Sequence, residues 1–208
     1  RRSSDLTLCL AAQEIASIQT RYAKKGLTLS EVALCGAKEF IAWNHYPAND
    51  LVDEVSGYEF YYHAHSADEM VDGEHGHFHL FKRCGHDFHH LIGIALNQQG
   101  LPVRLFTTNQ WVTGEKFVSA QSVIAQLRDF DMAIKGRMGP IARWISALTK
   151  LYFIDMEKLI LNRDQKISEL KIEFGDLESA LDSKSHHVLT ESKIDLLDQL
   201  SQHLLPEN

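Results

Sequence analysis

The chain lacks several features that would assign it to a common functional class. Its 208 residues contain only three cysteines and no CxxC pair, which fits a reducing compartment better than a disulfide framework. No apolar run approaches the roughly 20 residues that cross a bilayer, so we expect no membrane contact. The net charge is −7 and Lys and Arg form no sustained patch, which argues against nucleic acid as a partner.

The remaining composition is that of an ordinary globular domain. Hydrophobic residues make up 44% of the chain, enough for one sizeable core, so residues 1–208 are predicted to form a single domain. We expect a cytoplasmic location. The chain begins at Arg1 rather than at Met, which leaves open an earlier segment and any targeting signal that it carries.

The spacing of apolar residues predicts an α+β fold. Residues 1–46 are predicted to be helical, as two helices, the second opened by a capping box at Thr28 and Glu31. Aromatic and β-branched runs then predict a small four-stranded antiparallel sheet within 57–108, with strands at 57–65, 74–83, 88–96 and 101–108.

The rest of the chain, 117–208, is predicted to be helical. A long apolar seam runs from 141 to 181, and a last helix is expected near 190–204. Such a seam predicts core packing or a homodimer through the C-terminal helices.

Histidines are concentrated in the predicted sheet. Eight of the twelve lie between residues 63 and 90. Because side chains alternate along a strand, we expect His63 and His65 to share one face with His75, His77 and His79. Placing His63 opposite His77, and His65 opposite His75, brings the imidazoles about 5 Å apart. This predicts a site for a divalent transition metal such as zinc, iron or nickel.

Acidic residues lie between the two histidine runs. We expect Glu69 or Glu74 to act as a metal ligand or general base. Two or three histidines with one carboxylate leave coordination positions open for water or dioxygen, as in a metal-dependent hydrolase or non-haem oxygenase acting on a small-molecule substrate. Arg104 is predicted to anchor an anionic group of that substrate.

The same stretch resembles a known motif. Gly57, five residues, His63-x-His65, three residues, Glu69, six residues and Gly76 are similar to the first metal motif of the cupin superfamily. The resemblance implies His63, His65 and Glu69 as ligands, with His77 or His79 replacing the histidine of the second cupin motif, which is absent here. It implies a ligand set only, because the helical flanks leave too little strand for a barrel.

Other functions remain open from the sequence. Haem is a rival occupant, held by one histidine in a pocket lined by Tyr61, Phe78, Phe81 and Trp111. A metal closed off by four histidines would make the protein a non-catalytic sensor or store. A third alternative is an interaction protein that dimerises through its helical tail and whose histidines are incidental.

Overall fold

Helices and one antiparallel sheet build the protein, as predicted for an α+β chain. The computed structural model describes residues 2–34, 45–63 and 73–204, with side chains for 4–34, 51–63 and 73–204. The helices are α1 (Arg2–Lys24), α2 (Leu29–Ala33), α3 (Gln110–Thr113), α4 (Ala120–Arg128), α5 (Gly139–Leu151), α6 (Phe153–Phe174), α7 (Leu177–Leu181) and α8 (Leu196–His203). The strands are β1 (His45–Val52), β2 (Tyr58–His63), β3 (Glu74–Cys84), β4 (Asp87–Asn97), β5 (Pro102–Thr108) and β6 (Val188–Lys193).

The sheet has six strands rather than the four predicted. They lie in the order β1-β2-β3-β4-β5-β6, and each pairs antiparallel with the next. Strands β2 to β5 correspond to the four predicted runs. Strand β1 overlaps the end of the region predicted to be helical, and β6 lies where the last helix was expected to begin.

Local sequence signals explain several helix boundaries. Thr28 Oγ1 accepts a hydrogen bond from the Glu31 amide, and the Glu31 carboxylate accepts one from the Thr28 amide, which confirms the predicted capping box. Gly175, in the left-handed conformation, ends α6. The apolar seam predicted from 141 to 181 is divided among α5, α6 and α7. None of the helices within the described ranges has the length and apolarity required to cross a bilayer.

One face of the sheet forms the main core and is called the core face. It packs against α1, α4 and α5 in one hydrophobic cluster, and Phe78 meets Trp144 of α5 with ring centroids 6.1 Å apart. The strand residues in this cluster are Tyr58, Phe60, Tyr62, Phe78, Leu80, Leu91, Ile92, Ile94, Leu96 and Leu105. The helices thus bury this face, and His63, His77 and His79 lie on the other.

Candidate functional site

The opposite side of the sheet carries a set of histidines and is called the histidine face. Its members are Tyr61, His63, His77, His79, Phe81, His90, Arg104 and Phe106. His63 pairs directly with His77 across β2 and β3, in the register proposed from the sequence. His79 follows on β3, and His90 joins from β4.

Four of these imidazoles form a continuous row across three strands. Ring centroids are 5.5 Å apart for His63 and His77, 4.8 Å for His77 and His79, and 5.0 Å for His79 and His90. Nδ1 of His79 lies 2.9 Å from Nε2 of His90, and Nδ1 of His90 lies 3.4 Å from Oγ1 of Thr108. The row is therefore hydrogen-bonded at its β4 end.

Burial keeps His79 and His90 uncharged. His77, His79 and His90 are 6%, 3% and 3% exposed. Burial holds the pKa of His79 well below its usual value, and the neighbouring histidines lower it further. Burial, with a smaller effect of the Arg163 charge, lowers the pKa of His90 to about 3. Both rings are neutral at pH 7, the protonation state in which imidazole binds metal ions.

A glycine on β4 creates the space for one wall of the row. The ring of Phe106 packs directly over Gly93, where an added Cβ would lie only 2.3 Å from the ring. Held there, Phe106 meets His77 and His79 edge to face, with centroids 5.3 and 5.7 Å apart. Phe106 and His90 were not among the predicted site residues, because the sequence does not reveal which part of β4 and β5 lies beside the histidines of β3.

The predicted position of His75 is wrong. Glu74 pairs with Asn97 and Gly76 with Leu96, so His75 is an extra residue in a β-bulge. Its Nδ1 lies 2.7 Å from the Tyr62 hydroxyl, on the core face. Burial lowers the pKa of His75, although the charge of Glu31 opposes the shift. The alternation rule fails here because a bulge shifts the register by one residue.

Arg104 is engaged by carboxylates of the chain itself. Its Nε and Nη2 donate to the two oxygens of Glu74 at 2.6 and 3.0 Å, and its Nη1 donates to Glu191 at 2.7 Å. The predicted roles of Arg104 as a substrate anchor and Glu74 as a general base do not fit this geometry, because each group already neutralises the other. The bulge that displaces His75 leaves Glu74 beside Arg104.

The aromatic residues predicted to line a haem pocket do not come together. Phe78 lies in the core, against Phe60 and Trp144. Tyr61 and Phe81 stack on the histidine face, with centroids 5.4 Å apart, while Trp111 packs against His187. These four side chains do not form one pocket.

A buried carboxyl group lies next to the histidine row. No pattern in the sequence predicted its position there. The Glu115 carboxylate accepts a hydrogen bond of 2.6 Å from the His90 amide. Burial raises the pKa of Glu115 to about 7, against the lowering effects of that hydrogen bond and of the Arg163 charge. This carboxyl group therefore changes between its protonated and ionised forms near neutral pH.

The described side chains alone do not make a complete metal centre. Within 4–34, 51–63 and 73–204, no group of three or more His, Cys, Asp or Glu side chains is arranged to hold a metal ion. The predicted ligands His65 and Glu69 lie outside the described residues. Of the three histidines central to the sequence prediction, the structure thus describes His63 and His77, on one face and opposite each other.

Comparison with known proteins identifies a family. The chain matches a family model described as Domain of unknown function (DUF6969) over residues 9–194. Neither the curated proteins nor the solved structures gave a match. Because the matched region includes every strand of the sheet and nearly all of the helices, the chain belongs to the DUF6969 family.

Proposed function

We propose that the protein is a metal-dependent enzyme that holds one divalent transition-metal ion on the histidine face. His63 and His77 are its described ligands, His65 is the third, and His79 or Glu69 is the fourth. The ion would activate water or dioxygen for reaction with a small-molecule substrate. The observation that supports this proposal is the row of four imidazoles, three of them buried, in which His63 and His77 face each other across two strands.

The ring spacing suits a shared ion. Two imidazoles that bind one ion at about 2.1 Å, with angles between 90° and 109°, have ring centroids about 4.5–5.5 Å apart. The pairs His63–His77 and His77–His79, at 5.5 and 4.8 Å, lie in or at the edge of that range.

Charge state also favours metal binding. A protonated imidazole has to release its proton before it can coordinate an ion, which makes metal affinity fall at low pH. His79 is already neutral at pH 7, because burial lowers its pKa. This part of the row therefore binds an ion without a proton being displaced.

The roles of His65 and Glu69 rest on sequence spacing. They stand at the ligand positions of the cupin-like motif, next to His63 in the chain. Since Glu74 is paired with Arg104, Glu69 is the proposed general base as well as a candidate ligand. His75 is excluded from the proposed ligand set because it lies on the core face.

Elemental analysis tests the proposal directly. We expect the purified protein, after loading with zinc, iron or nickel, to retain about one ion per chain. His63→Ala and His77→Ala should each lose most of it, while His86→Ala, an exposed residue at the β3–β4 turn, should not. Metal content that neither substitution alters would refute the site. A Soret band in the isolated protein would favour haem instead.

A non-catalytic sensor or store is the second candidate, because His77 and His79 are so little exposed. Chemistry requires an open coordination position, whereas storage does not. Cobalt-loaded protein distinguishes the two: azide should change the visible spectrum if a position is open to small molecules. A spectrum that azide leaves unchanged would favour the sensor or store.

A further inference from the structure

We propose that the cavity between α1, α2 and the start of α5 binds a small phosphate ester. The phosphate group lies at the N-terminus of α5, and an apolar body attached to it lies against Leu27 and Val32. The cavity belongs to the helices that cover the core face, and the inference does not depend on the metal site proposed above.

The cavity concentrates positive charge in an acidic protein. Its volume is about 380 Å³, a size typical of small-molecule sites. Three of its described lining residues are cations, Arg21, Lys25 and Arg137, and none is acidic. Within the described ranges these three cations form no ion pair with a carboxylate, although the whole chain has a net charge of −7. The charge at this place therefore favours an anionic ligand.

The N-terminus of α5 adds to this positive charge. The helix is 13 residues long, and Pro140 in its first turn lines the cavity. Its N-cap residue, Met138, has no side-chain oxygen with which to cap the first turn, and that turn contains no acidic residue. The positive end of the helix dipole is therefore not neutralised by the first turn itself, and an anion is stabilised there.

A buried tyrosine also lines the cavity. Tyr22 is only 8% exposed, yet its hydroxyl makes no hydrogen bond in the part of the chain that the structure describes. Buried hydroxyl groups normally have a partner. Burial raises the pKa of Tyr22, and the charges of three arginines oppose this shift, namely Arg21, Arg143 and Arg137. The hydroxyl is therefore protonated at pH 7, lies in the field of these cations and can donate to a bound anion.

The two kinds of lining residue indicate the class of ligand. A phosphate monoester carries about two negative charges at pH 7 and three acceptor oxygens, which suits several cationic donors and a hydroxyl together. Leu27 is exposed and Val32 half-buried, and both line the same cavity. They offer an apolar surface that inorganic phosphate leaves uncovered. An aryl or alkyl phosphate uses both parts of the cavity.

Titration calorimetry of the full chain with phenyl phosphate tests the site. We expect saturable binding of one molecule per chain, and weaker binding of inorganic phosphate, which cannot contact Leu27. Leu27→Ala should weaken binding of phenyl phosphate about fivefold and leave binding of inorganic phosphate unchanged. The absence of saturable binding, or phenyl phosphate binding no tighter than inorganic phosphate, would overturn the inference.

Substitutions of the polar groups test the position of the phosphate. Arg137→Gln removes one cation of the cavity and should weaken phenyl phosphate binding about 10- to 100-fold, and Tyr22→Phe removes only a hydroxyl and should weaken it about fivefold. Arg128→Gln is the matched control, because it removes the same charge from an exposed side chain of α4 outside the cavity. It should change the affinity by less than about twofold. Equal effects of Arg137→Gln and Arg128→Gln would show that net charge alone is responsible, and an unchanged affinity in Tyr22→Phe would overturn the assigned position.

Amide spectra of the unaltered chain locate the ligand independently of any variant. We expect phenyl phosphate to shift the ¹H–¹⁵N signals of residues 136–141 and of the end of α1 most strongly. Shifts concentrated on the histidine face instead would overturn the inference.

Discussion

Replacing Arg104 with methionine should destabilise the protein strongly, because it leaves the Glu74 carboxylate buried without a cation. The two side chains are 9% and 7% exposed and meet through two parallel hydrogen bonds of 2.6 and 3.0 Å. Methionine retains much of the apolar stem of arginine, so the change removes chiefly the charge and its donors.

The size of the expected loss in unfolding free energy follows from the burial of both side chains. Removing one partner of a buried ion pair costs about 3–5 kcal/mol, whereas replacing both partners with apolar residues is often neutral or stabilising. Arg104→Met combined with Glu74→Leu should therefore recover most of the loss. Glu191 also binds Arg104 but is 57% exposed, so Glu191→Gln should cost less than about 1 kcal/mol.

Urea unfolding at pH 7 of the wild type, the single variants and the double variant gives the double-mutant cycle. We expect Arg104→Met to lower the unfolding free energy by about 3–5 kcal/mol, which corresponds to a fall in Tm of about 6–20 °C for a chain of this size. The double variant should lie close to the wild type.

Two results would refute this reasoning. In the first, Arg104→Met lowers the unfolding free energy no more than Glu191→Gln does. The buried ion pair would then contribute no more stability than the exposed one. In the second, the double variant is as unstable as Arg104→Met alone, and the loss then comes from packing, including the contact of the guanidinium with the Phe106 ring at 4.7 Å, rather than from an unpaired carboxylate.

Two further predictions concern the surroundings of the histidine row. Gly93→Ala should lower the free energy of urea unfolding by about 1–3 kcal/mol, because the new Cβ meets the Phe106 ring. Adding Phe106→Leu should restore part of that stability. An equal loss from Gly93→Ala with Phe or with Leu at position 106 would contradict this explanation. For Glu115, burial raises the folded pKa from the ordinary 4.5 to about 7, so its stabilising contribution is complete below pH 4.5 and is lost as pH rises to about 7. Glu115→Gln should therefore gain about 3 kcal/mol relative to wild type between pH 4.5 and pH 8, and a constant difference across that range would show that the carboxyl is not perturbed.

The strands that carry the histidines could be predicted from the sequence because two patterns occur in them together. Residues 58–63 and 76–84 combine β-forming residues with alternation, which places His63 and His77 on one face; that they lie directly opposite each other depends also on the register of the two strands. The prediction fails at His75, where alternation breaks. A bulge depends on how two strands pair over their length, which one strand's sequence does not encode.

The two edge strands were missed for different reasons. Strand β1 begins within residues 1–46, which the sequence predicts to be helical, and contains Pro47, which a strand at the edge of a sheet tolerates. Strand β6, with the sequence VLTESK, has few apolar residues and forms because β5 offers an open edge. The position of Glu115 beside His90 likewise depends on a tertiary contact that no local pattern specifies.

The consecutive order of the strands also bears on how the protein reaches this structure. Strands β2 to β5 can pair through hairpins and short loops, which close quickly, whereas β6 must return across the long stretch between Thr108 and Val188. We therefore expect β5 to remain an unpaired edge until the helices between these residues have formed. During that interval a second nascent chain can donate its own β6, so exchange of this strand is the expected route to misassembly at high concentration.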